Sequence, residues 1–292
     1  MRSGVFVIRR DWGASLKVTT AQIPVSPEIL VNATAVRKAI KDAADQGARL
    51  INFCEGALSG YGKAQIISPE RWQDFDWDRQ EAELRSIAET CRHLRLFAVI
   101  GGAHRLSKAY PPHNSLYVFS DKGHLLTRYD KRYLSHGELG GWYTPGTTPI
   151  TFEVDGYRFG CAICIECQFA EIFAEYERLG ADAVLFSSYG IPTHFQIALQ
   201  AHAALNCVWI GAATPAQTAD KGPAGVIGPD GQWISRCSMQ GAGLATAVLN
   251  RDDPAYEIPL HKARPWRSKA RQGDIYREKM ADDPRSRNRG GY

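Results

Sequence analysis

The sequence predicts an α/β fold of stacked sheets and helices. Three observations carry this. Strand-like and helix-like patterns alternate from about residue 16 to residue 249, which argues for layered α/β architecture rather than separate helical and sheet domains. The 292 residues show no internal repeat and no interdomain linker, and one large α/β unit can use that length. Hydrophobic residues make up 44% and charged residues 23%, enough apolar material for a sizeable core.

The elements follow in order. LKVTTAQ (16–22) reads as a strand. Apolar residues at Ile29, Ala33, Val36, Ile40 and Ala43 form a helical stripe, which ends near Gly47. ARLINFC (48–54) reads as a buried strand, 78–93 as a helix and LFAVIG (96–101) as a strand. NSLYVFS and HLLTRYD flank Asp121-Lys122-Gly123, a hairpin signal. Residues 131–149, with Gly137, Gly140, Gly141, Pro145 and Gly146, read as a long irregular loop of the kind that is often functional. YRFGCAIC (157–164) is a strand, 169–179 a helix, ADAVLF a strand, 193–205 a helix and CVWIGAA a strand. Two closing strands are expected near 224–228 and 242–249.

Charge and composition narrow the function classes. Residues 262–292 hold ten Lys/Arg and four Asp/Glu, so the net +4 of the chain belongs to this tail and the remainder carries about −2. A nucleic-acid protein needs a basic stripe on a folded face, and a solvated, partly extended tail is the simpler reading. No run of about 18 apolar residues suggests a membrane helix. The N-terminal patch after Arg2 is too short for a secretory signal, so a cytoplasmic location is expected. Seven cysteines at irregular spacing suit reduced thiols better than a disulfide framework.

Chemistry-bearing residues collect where strands end, the usual place for ligands in open α/β sheets. Glu55 follows LINFC, Lys131 follows LLTRYD, and Cys164 closes YRFGCAIC ahead of a helix. A charged residue after a strand is more often simply solvated, so none of the three is informative alone. Together they are the types a nucleophilic site needs. A thiol is only partly ionised near neutral pH. Glu55 can take its proton, Lys131 can stabilise a thiolate and a developing oxyanion, and a helix N-terminus after Cys164 would add its dipole.

FCEGALSGYG (53–62), YDKRYL (129–134) with Glu138, and ICIECQFAE (163–171) resemble the Glu, Lys and Cys signatures of the nitrilase superfamily of carbon–nitrogen hydrolases. VTTAQIPV, LGADAVLFSS and AHAALNCVWIGAATP extend the resemblance over about the whole chain. It implies an αββα sandwich over residues 1–261, with 262–292 as a basic C-terminal tail, and a homodimer of αββααββα form. It implies Cys164 as nucleophile, Glu55 as general base, Lys131 with a backbone N–H after Cys164 as oxyanion stabilisers, and Glu138 as support for Lys131. It also implies a small-molecule amide or related substrate, no metal and no cofactor. Tyr61, His136, Trp142, Ile165, Glu166 and Tyr189 are candidates to line the substrate pocket, with plain packing or solvation as the alternative for Tyr61, Trp142 and His136.

The chain departs from the pattern at several points. Cys54 stands where many members have Pro, Ile165 and Glu166 where many have an aromatic residue and Asp, Ala170 where Pro is usual, and His202 where Arg is often found. Each leaves the catalytic groups in place and bears on the substrate. QFAEIF, the short spacing from Lys131 to Glu138 and GGWYTPG look more like amidase branches, which ranks amides ahead of N-carbamoyl amines and nitriles. Other classes fit less well. C-x2-C-x2-C at Cys161, Cys164 and Cys167 lacks the fourth Cys of a ferredoxin run, having Glu171 and Ile172 there, and the nearest downstream His is His194. Cys161 and Cys167 read as packing residues, or as partners for an oxidised Cys164. A Cys–His hydrolase finds no local signature around any of the eight His. A Glu166–Glu171 acid pair is less natural than a carboxylate in a first helical turn. An inactive scaffold would have no need of Glu55, Lys131, Glu138 and Cys164 together.

Overall fold

The computed structural model describes residues 15–291. The N-terminal patch after Arg2 lies outside the described residues.

Two six-stranded sheets pack face to face with helices on their outer sides. The first half of the chain builds one sheet. Strands β1 (Ser15–Gln22), β2 (Leu50–Asn52) and β3 (Phe97–His104) are parallel neighbours, and β4 (His113–Phe119) and β5 (Leu125–Asp130) continue antiparallel to the edge. The second half repeats the scheme. β6 (Thr151–Val154) pairs antiparallel with β7 (Tyr157–Ile163), which runs parallel to β8 (Ala183–Ser187) and β9 (Trp209–Ala213). The hairpin partners β10 (Gly225–Ile227) and β11 (Trp233–Arg236) follow. The last strand, β12 (Gly243–Asn250), returns to the first sheet beside β1.

Helices α1 (Ile29–Asp45) and α2 (Trp77–Leu94) cover the first sheet, with Val36, Ile40 and Ile87 packed on Ile51, Ala98 and Ile100. Helices α3 (Ala170–Arg178) and α4 (Thr193–Asn206) cover the second, with Phe173, Tyr176 and Leu199 on Val184, Phe186 and Ile210. Between the sheets lie Leu16, Val18, Val99, Leu116, Phe159, Leu185 and Trp209. Strands β8 and β9 are buried along their whole length. Apart from Ser187 at the end of β8 they are continuous apolar runs because both faces are covered, and each large side chain so buried is worth about 1.5–3 kcal/mol. The αββα sandwich expected from the sequence is present.

Three expectations need correction. The region 224–250 holds three strands rather than two, and β6 was not anticipated. β6 and β11 are only four residues long, too short for a clear period, and both are sheet edges with every second residue exposed. The helix expected over 169–179 is present as α3, but Cys164 does not abut its N-terminus: Cys164–Gln168 form one 3-10 turn between them. The start of the basic tail is helical, not extended. Helix α5 (Arg264–Gln272) lays Arg267 and Arg271 against the end of α4, where they donate to the carbonyls of Ala204 and Leu205. Cations at a helix C-terminus satisfy its unpaired carbonyls and its dipole. Arg271 also pairs with Glu177 at 2.7 Å.

Candidate active site

Strand ends from both sheets meet at one point. Glu55 sits in the turn after β2. That turn lies directly on β3: a Cβ at Gly101 would stand 2.1 Å from the Cys54 carbonyl oxygen, so only glycine admits the approach. Lys131 follows β5, and its backbone N–H donates to the carbonyl of Asn114 at 2.8 Å, extending the β4–β5 ladder by one residue. Glu138 lies in the loop beyond, where the Ser135 N–H donates to its Oε2 at 2.7 Å.

These three side chains form one buried cluster. The Lys131 ammonium donates to Glu55 Oε1 at 2.9 Å and to both oxygens of Glu138, at 2.8 and 2.9 Å. Lys131 and Glu55 are fully buried and Glu138 is 1% exposed. A lysine has three donors, and all three are engaged. Glu55 is held further by the Asn114 amide at 2.7 Å on Oε1 and by the Tyr189 N–H at 3.1 Å on Oε2.

Cys164 faces this cluster from the second sheet. Its backbone is left-handed, with φ of 52°, a conformation that costs a non-glycine residue roughly 1–2 kcal/mol and turns the chain sharply from β7 into the 3-10 turn. Its thiol lies near the Ser188 hydroxyl and feels the charges of Glu55, Lys131 and Glu138. His202 supports the turn from behind, its Nε2 2.9 Å from the Cys167 carbonyl and its ring stacked on Phe173 at 4.0 Å.

The electrostatics follow from burial and one excess negative charge. Burial pushes the Cys164 thiol up to about 12, and Glu55 adds to this, while Lys131 and Ser188 pull the other way. Burial, reinforced by Glu138, also raises Glu55 above the usual carboxylate range, against Lys131 and Asn114. Burial works against the Lys131 charge, yet Glu55, Cys164 and Glu138 hold its proton more tightly than usual. Glu138 is buried too, but Lys131 and Ser135 bring it below the ordinary value. The result is a protonated thiol beside a carboxylate of raised proton affinity and a cation that stays charged, the combination that general-base activation of a nucleophile needs.

The other sequence candidates are distributed unevenly. Tyr61 reaches the cluster, its hydroxyl 3.4 Å from Glu138 Oε1 and its ring stacked at 4.9 Å on Tyr189. Trp142 packs behind them, against Gly62 and among Trp72 and Tyr143. Ile165 is half-buried against the core beneath α3 and α4. His136 is exposed on the loop between Lys131 and Glu138. Glu166 departs from its expected place at the pocket: it is fully buried, and both carboxylate oxygens accept protein donors. Sequence reasoning missed Asn114, Ser188 and the Tyr189 N–H. Ser187-Ser188 after the strand AVLF was a usable signal, being polar residues at a strand end. Asn114 carried none, because its role depends on strand register.

Among the described residues, no group of three or more His, Cys, Asp or Glu is placed to hold a metal ion. Cys161 and Cys167 are buried in different parts of the core, and among the described residues no helix is long and apolar enough to cross a membrane.

Comparison with known proteins bears on the same residues. A family model described as carbon–nitrogen hydrolase matches residues 17–255. The omega-amidase NIT2 of Homo sapiens is 26% identical over 286 residues, covering 92% of this chain and 96% of that protein. The omega-amidase NIT2 of Danio rerio is 24% identical, with 90% and 97% covered. Among solved structures, a cysteine-to-alanine mutant of the Nesterenkonia AN1 amidase from the nitrilase superfamily superposes with a TM-score of 0.72 at 20% identity, covering 91% of this chain and 97% of that one. Another mutant of that amidase, with a TM-score of 0.70 at 19% identity and 87% and 96% covered, shows covalent addition of the acetamide moiety of fluoroacetamide at its active-site cysteine.

Proposed function

Because the chain belongs to the carbon–nitrogen hydrolase family, we propose that it hydrolyses a small-molecule amide through a thioester on Cys164. The observation that carries this reading is the buried Lys131 held between Glu55 and Glu138 beside the thiol. The relatives named omega-amidase and the amidase structures support an amide over an N-carbamoyl amine or a nitrile.

Each residue has one task. Glu55 takes the Cys164 proton as the thiolate attacks the amide carbon. The oxyanion forms against the Lys131 ammonium and the Ile165 N–H, and Lys131 exchanges one of its two bonds to Glu138 for the oxyanion. Glu55 returns the proton to the leaving nitrogen, and ammonia departs. Glu55 then deprotonates a water, which attacks the thioester, and the proton goes back to Cys164 sulfur. One preorganised donor of this kind is worth about 10²–10³ in rate. Tyr61, Tyr189 and Trp142 form the aromatic side of the substrate pocket, with Ile165 and His136 at its margin.

The reading extends to the whole chain. Residues 1–261 are the hydrolase domain and 262–292 a C-terminal extension that braces α4. A homodimer is supported by the exposed apolar stripe of α4, where Ile197 is 63% and Leu205 58% exposed. Seven unpaired cysteines support a cytoplasmic location, which cell fractionation checks. The test of function is ammonia release from a panel of aliphatic amides, ω-amides, N-carbamoyl amines and nitriles, with Cys164→Ala as control. Release from an amide by the wild-type protein, abolished in a folded Cys164→Ala, is expected. Undiminished release by Cys164→Ala would refute the site, and release from nitriles alone would refute the amide assignment.

A further inference from the structure

The two halves of the site come from different sheets, and no backbone ladder joins them. Lys131, Glu55 and Glu138 belong to the first sheet, and Cys164 to the second. Their mutual placement therefore depends on side chains that cross between the sheets. Glu166 does this at the nearest possible point. Its Oε1 accepts from the backbone N–H groups of Arg132 at 2.7 Å and Tyr133 at 3.1 Å, the two residues after Lys131. Its Oε2 accepts from the N–H of Ile163 at 2.7 Å, the residue before Cys164. The Tyr129 hydroxyl, two residues before Lys131, lies 2.8 and 2.9 Å from the two oxygens.

We propose that Glu166 is a positioning residue that sets the register of the Lys131 segment against the Cys164 turn. This rests on the roles given to Lys131 and Cys164 above. The residue type follows from the task. Five contacts all come from donors, so the group must accept on both oxygens and donate on neither, which an ionised carboxylate does and an amide does not. Successive backbone N–H groups, as at Arg132 and Tyr133, make a small anion-binding concavity. The left-handed backbone at Cys164 has to be held by its surroundings, and the Ile163–Glu166 bond closes that turn. Lys131 is thereby fixed on both sides, by Asn114 through its own N–H and by Glu166 through the next two.

The test compares Glu166→Gln, Glu166→Asp and Tyr129→Phe with the wild-type enzyme, counting active sites by stoichiometric alkylation of Cys164 with Cys164→Ala as blank. Glu166→Gln turns an NH2 toward backbone N–H groups, and Glu166→Asp keeps the charge but falls short by one methylene. Per titrated site, kcat is expected to fall about 10²-fold in Glu166→Gln, the usual cost of misplacing a reacting group by about 1 Å, with KM little changed and Glu166→Asp intermediate. The pH profile of Cys164 alkylation is expected to move to higher pH, because a displaced Lys131 favours the thiolate less. A structural role alone lowers the number of titratable sites and moves neither kcat per site nor the profile. Folded Glu166→Gln with wild-type values of both overturns the proposal. Should neither Glu166 variant fold, Tyr129→Phe decides: a several-fold drop in kcat per site supports it, and wild-type kcat overturns it. Turnover by Cys164→Ala would instead overturn the underlying site assignment.

Discussion

Lys131 carries one positive charge between two carboxylates, so with a neutral thiol the buried cluster is one negative charge in excess. Burial raises the proton affinity of both Glu55 and Cys164, and a neighbouring carboxylate adds to it in each case, Glu138 for Glu55 and Glu55 for Cys164. Lys131 is the main counterweight and Asn114 the second, its amide favouring the ionised form of Glu55. In Asn114→Ala the charged form loses that bond and the Glu55 pKa rises further. Activity needs ionised Glu55, so it is present above this pKa and lost as pH falls through it. The acid limb of kcat/KM is expected to move to higher pH, with a loss of about 10- to 100-fold at pH 7, the worth of a hydrogen bond to a charged group. An unmoved acid limb would remove Asn114 from the mechanism. At this scale the sequence was informative for residues whose type and strand-end position speak together, Glu55, Lys131 and Cys164, while Glu138, in a loop, came from the family resemblance alone. Asn114 and the Tyr189 N–H were invisible, since one depends on which residue of β4 faces β2's turn and the other is main chain. Glu166 was seen but misplaced, because adjacency to the nucleophile in sequence does not say which way a side chain turns when the intervening backbone is left-handed.

The elements deliver these residues through unusual local backbone. The 3-10 turn at Cys164–Gln168 separates the thiol from the N-terminus of α3, so the macrodipole of α3 starts several residues away, and nearby N–H groups and Lys131 supply the local positive potential. Helix α5 shows what a charge count could not say about the start of the tail. Its arginines are spent on the carbonyls and Glu177 at the ends of α3 and α4, contacts that depend on where the chain returns. The opposite case is α4, whose outer stripe of Ile197, Ala201 and Leu205 is apolar and exposed. Large apolar side chains at helical spacing on one surface suit association with a second copy. Ile197→Asp combined with Leu205→Asp is expected to convert a dimer to a monomer in sedimentation analysis with the fold retained. A wild-type protein that sediments as a monomer, or a double variant that remains a dimer, would contradict that use of α4.

The whole molecule is two like halves, each with parallel strands at its centre and antiparallel strands outside, brought together so that strand ends from both converge on one thiol. The layering was legible because β2, β8 and β9 are mostly apolar and buried along their length, and helical stripes fall between them. The likeness of the halves was not, because it resides in strand order, with no sequence repeat behind it. The convergence makes one chemical claim, that an acyl group passes through Cys164. The most direct measurement is mass spectrometry of the enzyme quenched in acid during turnover of the amide that it hydrolyses. The expected result is an acyl adduct on the peptide carrying Cys164, absent from Cys164→Ala and removed by hydroxylamine. Turnover with no adduct on that peptide under conditions that trap acylation, or an adduct on another residue, would contradict the account.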